Sequence, residues 1–466
     1  MKPAATIRTE LEHYLKITGK SIHFFAEISG VNAGTLSAII NGNRPIAMGQ
    51  LDRITAGMGL GEGYFYELYV DECFVHAAPN WRRLKPFLYR CAELDKLDCI
   101  RQTVRQMTDN LSYLPAIFET AEEFFRQGKR KAAEILYKVV AESEKYQHSE
   151  RLALAQYRLF SITIGQDQQM NHRIAVQFEP YVDRLTEEQQ LDALKDLANV
   201  YASLRNWNKV NDLATELGYR AAIQYDHIYD NKKFAEQPVG TEYPLFLYIL
   251  YAYLLQSAAC EERGEYVEAM RFVSLYSDMS WVKESDEQSL RIMEQYRGLA
   301  KVNTYLYELM MGNITVLKDY VEYILSREEE ILPALVKIVE AANRFDMNVD
   351  DTLALFEKHI ESYSDINQAL GSYTQQMVAD RYMNLMTELA YYYLYNKRYD
   401  KGMECILNSL SSAVLIRSDA GIIKCAGLFE QFRDYATVQA EETYKSLIIK
   451  GANYNEKKIG CSVVLR

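Results

Sequence analysis

The stretch SIHFFAEISGVNAGTLSAIINGNRP, residues 21–45, predicts two short helices that are separated by a tight turn. Ser21 and Asn32 are residue types that cap the amino end of a helix, and apolar residues recur at helical spacing after each of them. Gly30 stands between the two segments, where its ability to adopt a positive φ permits a sharp turn. A short helix held by another in this way fits the major groove of DNA. The stretch therefore predicts a helix-turn-helix that binds double-stranded DNA sequence-specifically.

This stretch resembles the DNA-binding domain of the Cro/phage-repressor-like (XRE) family, whose usual pattern is G-V-S-x-x-[ST]-[IL]-S-x-[IL]-x-x-G-x-R-x-P. The matching residues are Gly30, Val31, Asn32 in the cap position, Thr35, Leu36, Ser37, Ile39, Asn41, Gly42 and Arg44, with Pro45 one place early. Apolar helical patterns in residues 6–18, 51–58 and 64–69 complete a five-helix domain over residues 1–71. The ordinary alternative is a helical hairpin that does not bind DNA.

The positions from which the family usually reads bases hold small side chains here. They are Ala33, Gly34 and Ala38, and none of them can form bidentate hydrogen bonds to a base edge. Direct readout is therefore expected from polar residues of the second helix, and phosphate contact from basic residues beside it. The predicted DNA-binding residues are Lys20, Asn32, Ala33, Gly34, Thr35, Ser37, Asn41 and Arg44, with Lys20 and Arg44 on phosphate.

Charge is distributed unevenly along the chain. The first 70 residues carry as many basic as acidic side chains, whereas the whole chain has a formal net charge of −12. The acidic remainder repels nucleic acid, so DNA contact is expected at the amino-terminal domain alone. Because few phosphate contacts make a single copy bind weakly, two copies on a palindromic operator are needed, and we expect a homodimer.

Composition indicates an all-α protein. Of the 466 residues 48% are apolar, only 9 are proline, and the alternation typical of strands is hard to find. The seven cysteines are scattered and form no C-x-x-C pair, which argues against a disulfide framework or a zinc site and fits a reducing cytoplasm. The sequence has no recognisable metal-ligand spacing, phosphate-binding glycine loop or nucleophile motif. We therefore expect no catalytic residues, no metal, no cofactor and no enzyme activity.

An uncharged run, YPLFLYILYAYLLQSAAC at residues 243–260, approaches the length of a membrane span. Four tyrosines precede Gln256, and a polar turn follows the run directly. These features favour a helix buried inside a repeat, so no membrane partner is expected.

A repeated pattern fills the rest of the chain: a small residue, an aromatic or apolar residue three positions later, a polar turn and a second helix. The clearest examples are Ala121 and Phe124 before Gly128, Ala198 and Tyr201 before Arg205, Ser257 and Cys260 before Gly264, and Ala390 and Tyr393 before Lys397. Less regular turns fall near Asp95, Gln166, Gly312, Asp346 and Arg433. The pattern resembles a degenerate tetratricopeptide repeat, whose hairpins stack into a right-handed α-solenoid. We place about nine hairpins in residues 87–450, after a linker at 72–86 and before a tail at 451–466.

An XRE-type domain followed by such repeats resembles the RRNPP family of bacterial peptide-pheromone receptors, with the arbitrium receptors of phages as close architectural relatives. The resemblance implies a cytoplasmic quorum-sensing transcriptional regulator, in which a short signalling peptide in the repeat groove controls operator binding allosterically. Family receptors clamp the peptide backbone with groove asparagines. Reading the repeat register gives the inward-facing candidates Lys195, Asn199, Asn384, Thr387 and Tyr391, with Asn303 in a less regular repeat.

Three alternatives stay open at this point. The repeats could instead regulate a response regulator or another protein by direct contact, with Glu122, Gln127 or Gln147 on the early helices. Residues 72–86, in which Pro79 and Pro86 are expected to break helix continuity, could relay groove closure to the DNA-binding domain or serve as a plain linker. The polar stretch at 226–244 could be a lid or a tolerated insertion.

Overall fold

The computed structural model describes residues 6–75, 80–108, 110–165, 167–230, 241–366 and 373–461. The regular elements in these ranges are all helices, and the described residues contain no β-strand, so the predicted all-α class is confirmed. The chain forms two compact units, Met1–Val200 and Tyr201–Arg466.

The described part of the first unit contains α1 (Ile7–Thr18), α2 (Ile22–Ser29), α3 (Ala33–Ile40), α4 (Met48–Gly57), α5 (Tyr66–Val75), α6 (Trp81–Glu93), α7 (Leu97–Met107), α8 (Leu114–Arg126), α9 (Arg130–Ser143), α10 (Glu150–Thr163) and α11 (Gln168–Phe178). Short 3₁₀ helices lie at Leu111–Tyr113 and Glu179–Arg184. The last helix that begins in this unit is α12 (Glu187–Ser203), which continues past Val200, the last residue of the unit. One apolar core extends from Ile7 in α1 to Leu159 in α10. The amino-terminal helices therefore share a core with α6–α10, which include the first helices of the predicted repeat region.

The described part of the second unit contains α13 (Trp207–Asp230), α14 (Leu245–Glu262), α15 (Tyr266–Ser277), α16 (Glu287–Met310), α17 (Leu317–Leu325), α18 (Glu328–Phe345), α19 (Asp350–Leu355), α20 (Glu357–Ile366), α21 (Tyr373–Tyr395), α22 (Tyr399–Ile416), α23 (Asp419–Gln431) and α24 (Val438–Cys461). Two 3₁₀ helices lie at Ile314–Val316 and Arg433–Tyr435. Consecutive helices such as α13 and α14, α14 and α15, and α21 and α22 pack against each other.

The turn between α2 and α3 has the backbone that the sequence predicts. Gly30 ends α2 at a φ of 66°, in the left-handed region, and its amide donates to the carbonyl of Ala26. The side chain of Asn32 then caps α3 by accepting from the amides of Gly34 and Thr35. Phe25 of α2 is fully buried beside this turn, so the two short helices are held by a common core as well as by their caps.

Most of the predicted repeat turns adopt a left-handed backbone. The residues with positive φ at these turns are Asp95, Gly128, Arg205, Gly264, Gly312, Asp346 and Lys397. Gln166 lies outside the described residues, and Arg433 opens a 3₁₀ helix instead. The small residues of the pattern, Ala121, Ala198, Ser257 and Ala390, are each 0% exposed. The chain thus reverses at these predicted turns and buries these small residues, while the tetratricopeptide-like arrangement stays a prediction.

One prediction about helix breaks is wrong. Pro86 lies inside α6, which runs without interruption from Trp81 to Glu93. A proline inside a helix removes the hydrogen bond to the carbonyl four residues earlier, here that of Arg82, near the amino end of α6. Only this one hydrogen bond near the amino end is lost, and the rest of α6 continues to Glu93. Pro79, the other expected break, lies outside the described residues.

Candidate nucleic-acid interface and peptide-contact residues

The predicted recognition helix, α3, has one buried face and one polar face. Leu36 and Ile39 are buried in the core, whereas Asn32 and Gly34 are exposed and Thr35 is half-buried. Ala33 and Ser37 are half-buried, and Asn41 is exposed, so the other predicted base-contacting positions are also not enclosed in the core. This polar face could present hydroxyl and amide groups to a base edge.

Asn32 can offer fewer hydrogen-bonding groups to a base than its residue type suggests. Its Oδ1 accepts from the amide of Gly34 at 2.9 Å and from that of Thr35 at 3.3 Å. A bidentate contact to adenine needs both the oxygen and the nitrogen of an asparagine amide. Because capping already occupies the oxygen, only Nδ2 is left to donate to a base. Asn41 is less engaged, since its Nδ2 makes a contact of 3.4 Å with Ser37 Oγ.

The two predicted phosphate contacts flank this face. Arg44 is exposed in the loop after α3, and its Nη1 lies 3.5 Å from Thr35 Oγ1. Lys20 precedes α2, and its Nζ donates to the hydroxyl of Tyr14 at 2.9 Å. The same Nζ lies 5.2 Å from the centre of the Tyr14 ring and 6.0 Å from that of Phe24. Both cations are therefore positioned by neighbours beside the helix-turn-helix.

Arg8 is a residue that sequence reasoning missed. It is 7% exposed and forms a buried ion pair with Glu72 of α5. Its Nη1 donates to the carbonyl of Ile39 at 2.7 Å, and its Nη2 lies 3.4 Å from the carbonyl of Arg44. Arg8 thus satisfies the carboxyl end of α3 and joins it to α1 and α5. The available signal was its spacing from Leu11, three residues on, which puts a cation on the apolar face of α1.

A second set of contacts attaches α6 to the amino-terminal domain. Arg90 Nε lies 3.3 Å from Asp52 Oδ2, and the same guanidinium pairs with Glu62 and Glu93. The hydroxyl of Tyr66 donates to Asp52 Oδ1 at 2.9 Å. Burial and the nearby carboxylate of Asp52 raise the pKa of Tyr66 well above its usual value, so the hydroxyl stays protonated. Two of the acidic side chains of the domain are therefore paired with a cation from outside it.

The candidates of the first unit lie together on α12, but in different surroundings. Lys195 Nζ lies 3.6 Å from Asp196 Oδ1, and its side chain is only 14% exposed. Asp196 also accepts from the hydroxyl of Tyr157 at 2.8 Å. Asn199, one turn further along the helix, is exposed. Of these two candidates, Asn199 has the more accessible side chain.

Two candidates of the second unit make internal contacts. Asn303 of α16 is half-buried, and its Nδ2 donates to the hydroxyl of Tyr276 on α15 at 2.9 Å. Thr387 of α21 is 4% exposed and lies 2.7 Å from Ser409 Oγ of α22. The expected inward-facing orientation of Thr387 is therefore wrong. Thr387 precedes Ala390 by three residues and shares its helix face, which packs on α22.

A different face of α21 carries the remaining candidates. We call it the α21 stripe, and it consists of Asp380, Asn384, Glu388, Tyr391 and Tyr395. None of these side chains is fully buried, and the rings of Tyr391 and Tyr395 stack with their centres 6.3 Å apart. The spacing of four, four, three and four residues keeps the five side chains on one side of the helix. The structure thus brings Asn384 and Tyr391 onto a common face.

Residues from neighbouring helices join the α21 stripe. Asn343 of α18 donates from Nδ2 to the backbone carbonyl of Glu388 at 2.9 Å and to its carboxylate at 3.0 Å. Lys424 of α23 lies 3.2 Å from the same carboxylate and 5.5 Å from the centre of the Tyr391 ring. Sequence reasoning missed Asn343, Glu388 and Lys424, because no local pattern shows which helices meet. Together they form a polar surface with both hydrogen-bond donors and acceptors.

The residues considered for contact with a response regulator are placed differently from one another. Glu122 is held by Arg158, with Nε and Nη2 at 3.0 and 3.1 Å, and it accepts from the hydroxyl of Tyr137. Gln127 and Gln147 are exposed. Glu122 is thus part of an internal network and has little freedom to reach a partner.

The described residues contain buried thiols but neither a metal-binding cluster nor a candidate membrane span. Cys73, Cys91, Cys99, Cys260, Cys405 and Cys425 are free thiols and are buried. In this part of the chain, no group of three or more histidine, cysteine and carboxylate side chains is arranged to hold a metal ion. Nor does any described helix combine the length and the apolarity that crossing a bilayer requires.

Comparison with known proteins gives no family assignment: no protein-family model matches this sequence, and no curated protein is significantly similar to it.

Proposed function

We propose that this chain is a cytoplasmic transcriptional regulator that binds operator DNA through residues 1–71. The observation that best supports this proposal is the arrangement of α2 and α3. Gly30 in the left-handed region and the cap at Asn32 set the turn between the two helices, and the polar face of α3 points outward. Such an arrangement suits insertion of the second helix into a major groove. The arrangement proposed for the whole chain is an XRE-like domain followed by tetratricopeptide-like hairpins, and the left-handed repeat turns support the second part.

The DNA-binding part is tested by selecting duplexes from a random-sequence library with the full-length protein. The variant Ser37→Ala should then lower affinity for the selected duplex by about tenfold or more, since one lost base contact costs about 1–3 kcal/mol. Binding to unselected duplex should change little, because the substitution removes no cation. The control is Ser161→Ala on α10, outside the domain. Failure of the wild type to enrich any sequence would count against operator binding.

We further propose that a short signalling peptide binds the repeat region and controls DNA binding. The α21 stripe supports this, because Asn384 and Glu388 offer hydrogen-bond partners for peptide amides beside the rings of Tyr391 and Tyr395. An extended peptide has unpaired amides along its length, and each needs such a partner when it is buried. Control of DNA binding additionally requires that the peptide bind two states of the protein with different affinity.

The peptide part is tested with a pool of random hexapeptides and the full-length protein. Retained peptides are identified by mass spectrometry, and the best one is titrated against the wild type and Asn384→Ala. A weaker affinity of the variant, with a changed DNA affinity of the wild type on peptide addition, is the expected result. The matched control is Asn396→Ala. Asn396 directly follows the last residue of α21, and its side-chain amide donates to the carbonyl of Tyr392. Equal peptide affinities for all three proteins would remove the stripe from the proposal.

A further inference from the structure

A cleft of about 570 Å³ lies beside the predicted recognition helix, within the first unit. It is bounded on one side by the loop after α3 and on the other by the amino end of α6. Arg44 lines it from the loop, and Arg82 and Arg83 line it from the first turn of α6. We call it the arginine cleft. Its described lining residues include no aspartate or glutamate, so the three cations face no carboxylate within the lining.

Two helix amino ends add to the positive character of the cleft. The lining includes Ala47, which directly precedes α4, and Asn80, which caps α6. Neither helix has an acidic residue in its first turn. The partial positive charge at a helix amino end favours an anion, and unpaired backbone amides there can donate to one.

Arg83 has an incompletely satisfied guanidinium. Its Nη2 donates to the carbonyl of Cys73 in the last turn of α5, which fixes the side chain against the amino-terminal domain. Its Nε is buried and has no hydrogen-bond acceptor among the residues that the structure describes. Buried N–H groups of this kind are nearly always paired in folded proteins. Arg82 and Arg44 line the same cleft and are exposed, so their guanidinium groups are accessible to an anion.

We propose that the arginine cleft binds a backbone phosphate of duplex DNA, so that α6 contributes Arg82 and Arg83 to DNA binding. This inference rests on the proposed DNA-binding function and deepens it. Arg44 connects the cleft with the recognition helix, because it lines the cleft while its Nη1 lies 3.5 Å from Thr35 Oγ1 of α3. A strand whose bases face α3 therefore carries its phosphates past this loop.

The contribution of α6 also resolves a difficulty in the charge of the amino-terminal domain. The first 70 residues are formally neutral, which predicts weak attraction to DNA. Arg90 of α6, however, pairs with Asp52 and Glu62, and the first turn of α6 adds two arginines at the cleft. The DNA-facing surface is consequently more positive than the composition of the domain alone indicates.

The test measures binding of the full-length protein to a labelled mixed-sequence duplex by fluorescence anisotropy, over a range of salt concentrations. Arg82→Gln should lower the affinity roughly tenfold near 0.1 M salt, and the slope of log K against log salt should become shallower by about 0.9 for the one lost phosphate contact. The double variant Arg82→Gln/Arg83→Gln should lose more. Arg105→Gln, an exposed arginine of α7 outside the cleft lining, is the charge-matched control and should behave as the wild type.

The outcomes separate the inference from the function on which it rests. If the wild type binds duplex with a steep salt dependence and Arg82→Gln binds identically, the phosphate assignment is overturned while DNA binding stands. If the wild type itself shows no salt-dependent binding, the proposed function fails and the cleft assignment fails with it. A third arm follows thermal unfolding with inorganic phosphate. Stabilisation of the wild type but not of Arg82→Gln, with unchanged DNA affinity, would assign the cleft to a free phosphorylated ligand and overturn the DNA proposal.

Discussion

At the scale of single residues, Arg8 shows how one buried charge can hold several helices together. Its side chain reaches the carboxyl end of α3 and the carboxylate of Glu72 at the same time. A buried ion pair seldom adds much net stability, but removing one partner leaves the other charge buried without compensation. The position of α3 therefore depends on a buried side chain of α1.

We predict that Arg8→Ala lowers the free energy of unfolding by about 3 kcal/mol, because the buried carboxylate of Glu72 and the carbonyl of Ile39 each lose the guanidinium of Arg8. Urea unfolding followed by circular dichroism measures the change. Lys16→Ala, an exposed position on the same helix, removes an equal charge and should shift the midpoint little. A midpoint for Arg8→Ala that matches this control would show that the pair does not hold the fold of the domain.

Asn199 offers a prediction of the opposite kind, in which binding changes and stability does not. Its side chain is exposed on α12, so Asn199→Ala should leave the melting temperature nearly unchanged. Affinity for a peptide recovered from the hexapeptide pool should fall, since the amide is expected to pair with the peptide backbone. Isothermal titration calorimetry measures the affinity. An unaltered affinity would remove Asn199 from the candidate site.

At the scale of helices, close approach depends on glycines at particular positions. Gly402 of α22 packs against Leu394 at the end of α21, and a Cβ at this position would lie 2.6 Å from the Cγ of that leucine. The branch point of a leucine cannot withdraw as the tip of a long side chain could. Gly427 of α23 differs, because nothing lies within 4 Å of a Cβ built there.

Gly402→Ala and Gly427→Ala should therefore shift thermal stability in opposite directions. Overpacking at Gly402 is expected to cost about 1–3 kcal/mol. At Gly427 the better helix propensity of alanine is expected to add roughly 0.5–1 kcal/mol. Thermal unfolding of both variants beside the wild type measures this. Equal shifts of the same sign would mean that the approach of α21 and α22 is looser than described.

At the scale of the molecule, α6, which begins in the second half of the predicted linker, packs against α5 of the amino-terminal domain. Leu84 and Phe87 of α6 are fully buried, and the Phe87 ring contacts those of Tyr66 and Tyr69 with centres 5.4 and 5.0 Å apart. The described part of the predicted linker from residue 80 onward is thus helical and packed. Leu84 and Phe87 belong to the same apolar core as the amino-terminal helices.

The proposed operator binding predicts two copies of the chain on a palindromic site, because one copy presents few cations to the DNA. Sedimentation velocity of the full-length protein with a selected duplex should give the mass of a dimer on one DNA molecule. A duplex that carries only one half-site should bind much more weakly. A strict one-to-one complex on the full palindrome would refute the dimer.

The sequence alone was sufficient for local features. Caps at Ser21 and Asn32, the left-handed turn at Gly30 and most repeat turns follow from rules that act over a few residues, and the structure shows them in place. The same holds for the all-α class, which needs only composition and periodicity. Such features depend on steric limits of the backbone and on short-range hydrogen bonds, which the order of residues specifies directly.

Tertiary structure decided everything that depends on which helices meet. It buried Arg8, turned Thr387 toward Ser409 and brought Arg82 and Arg83 beside Arg44. These contacts join residues far apart in sequence, and each reflects competition among many helix faces for one core. A local pattern can show that a face is apolar, but the partner that covers it is chosen by packing across the whole unit.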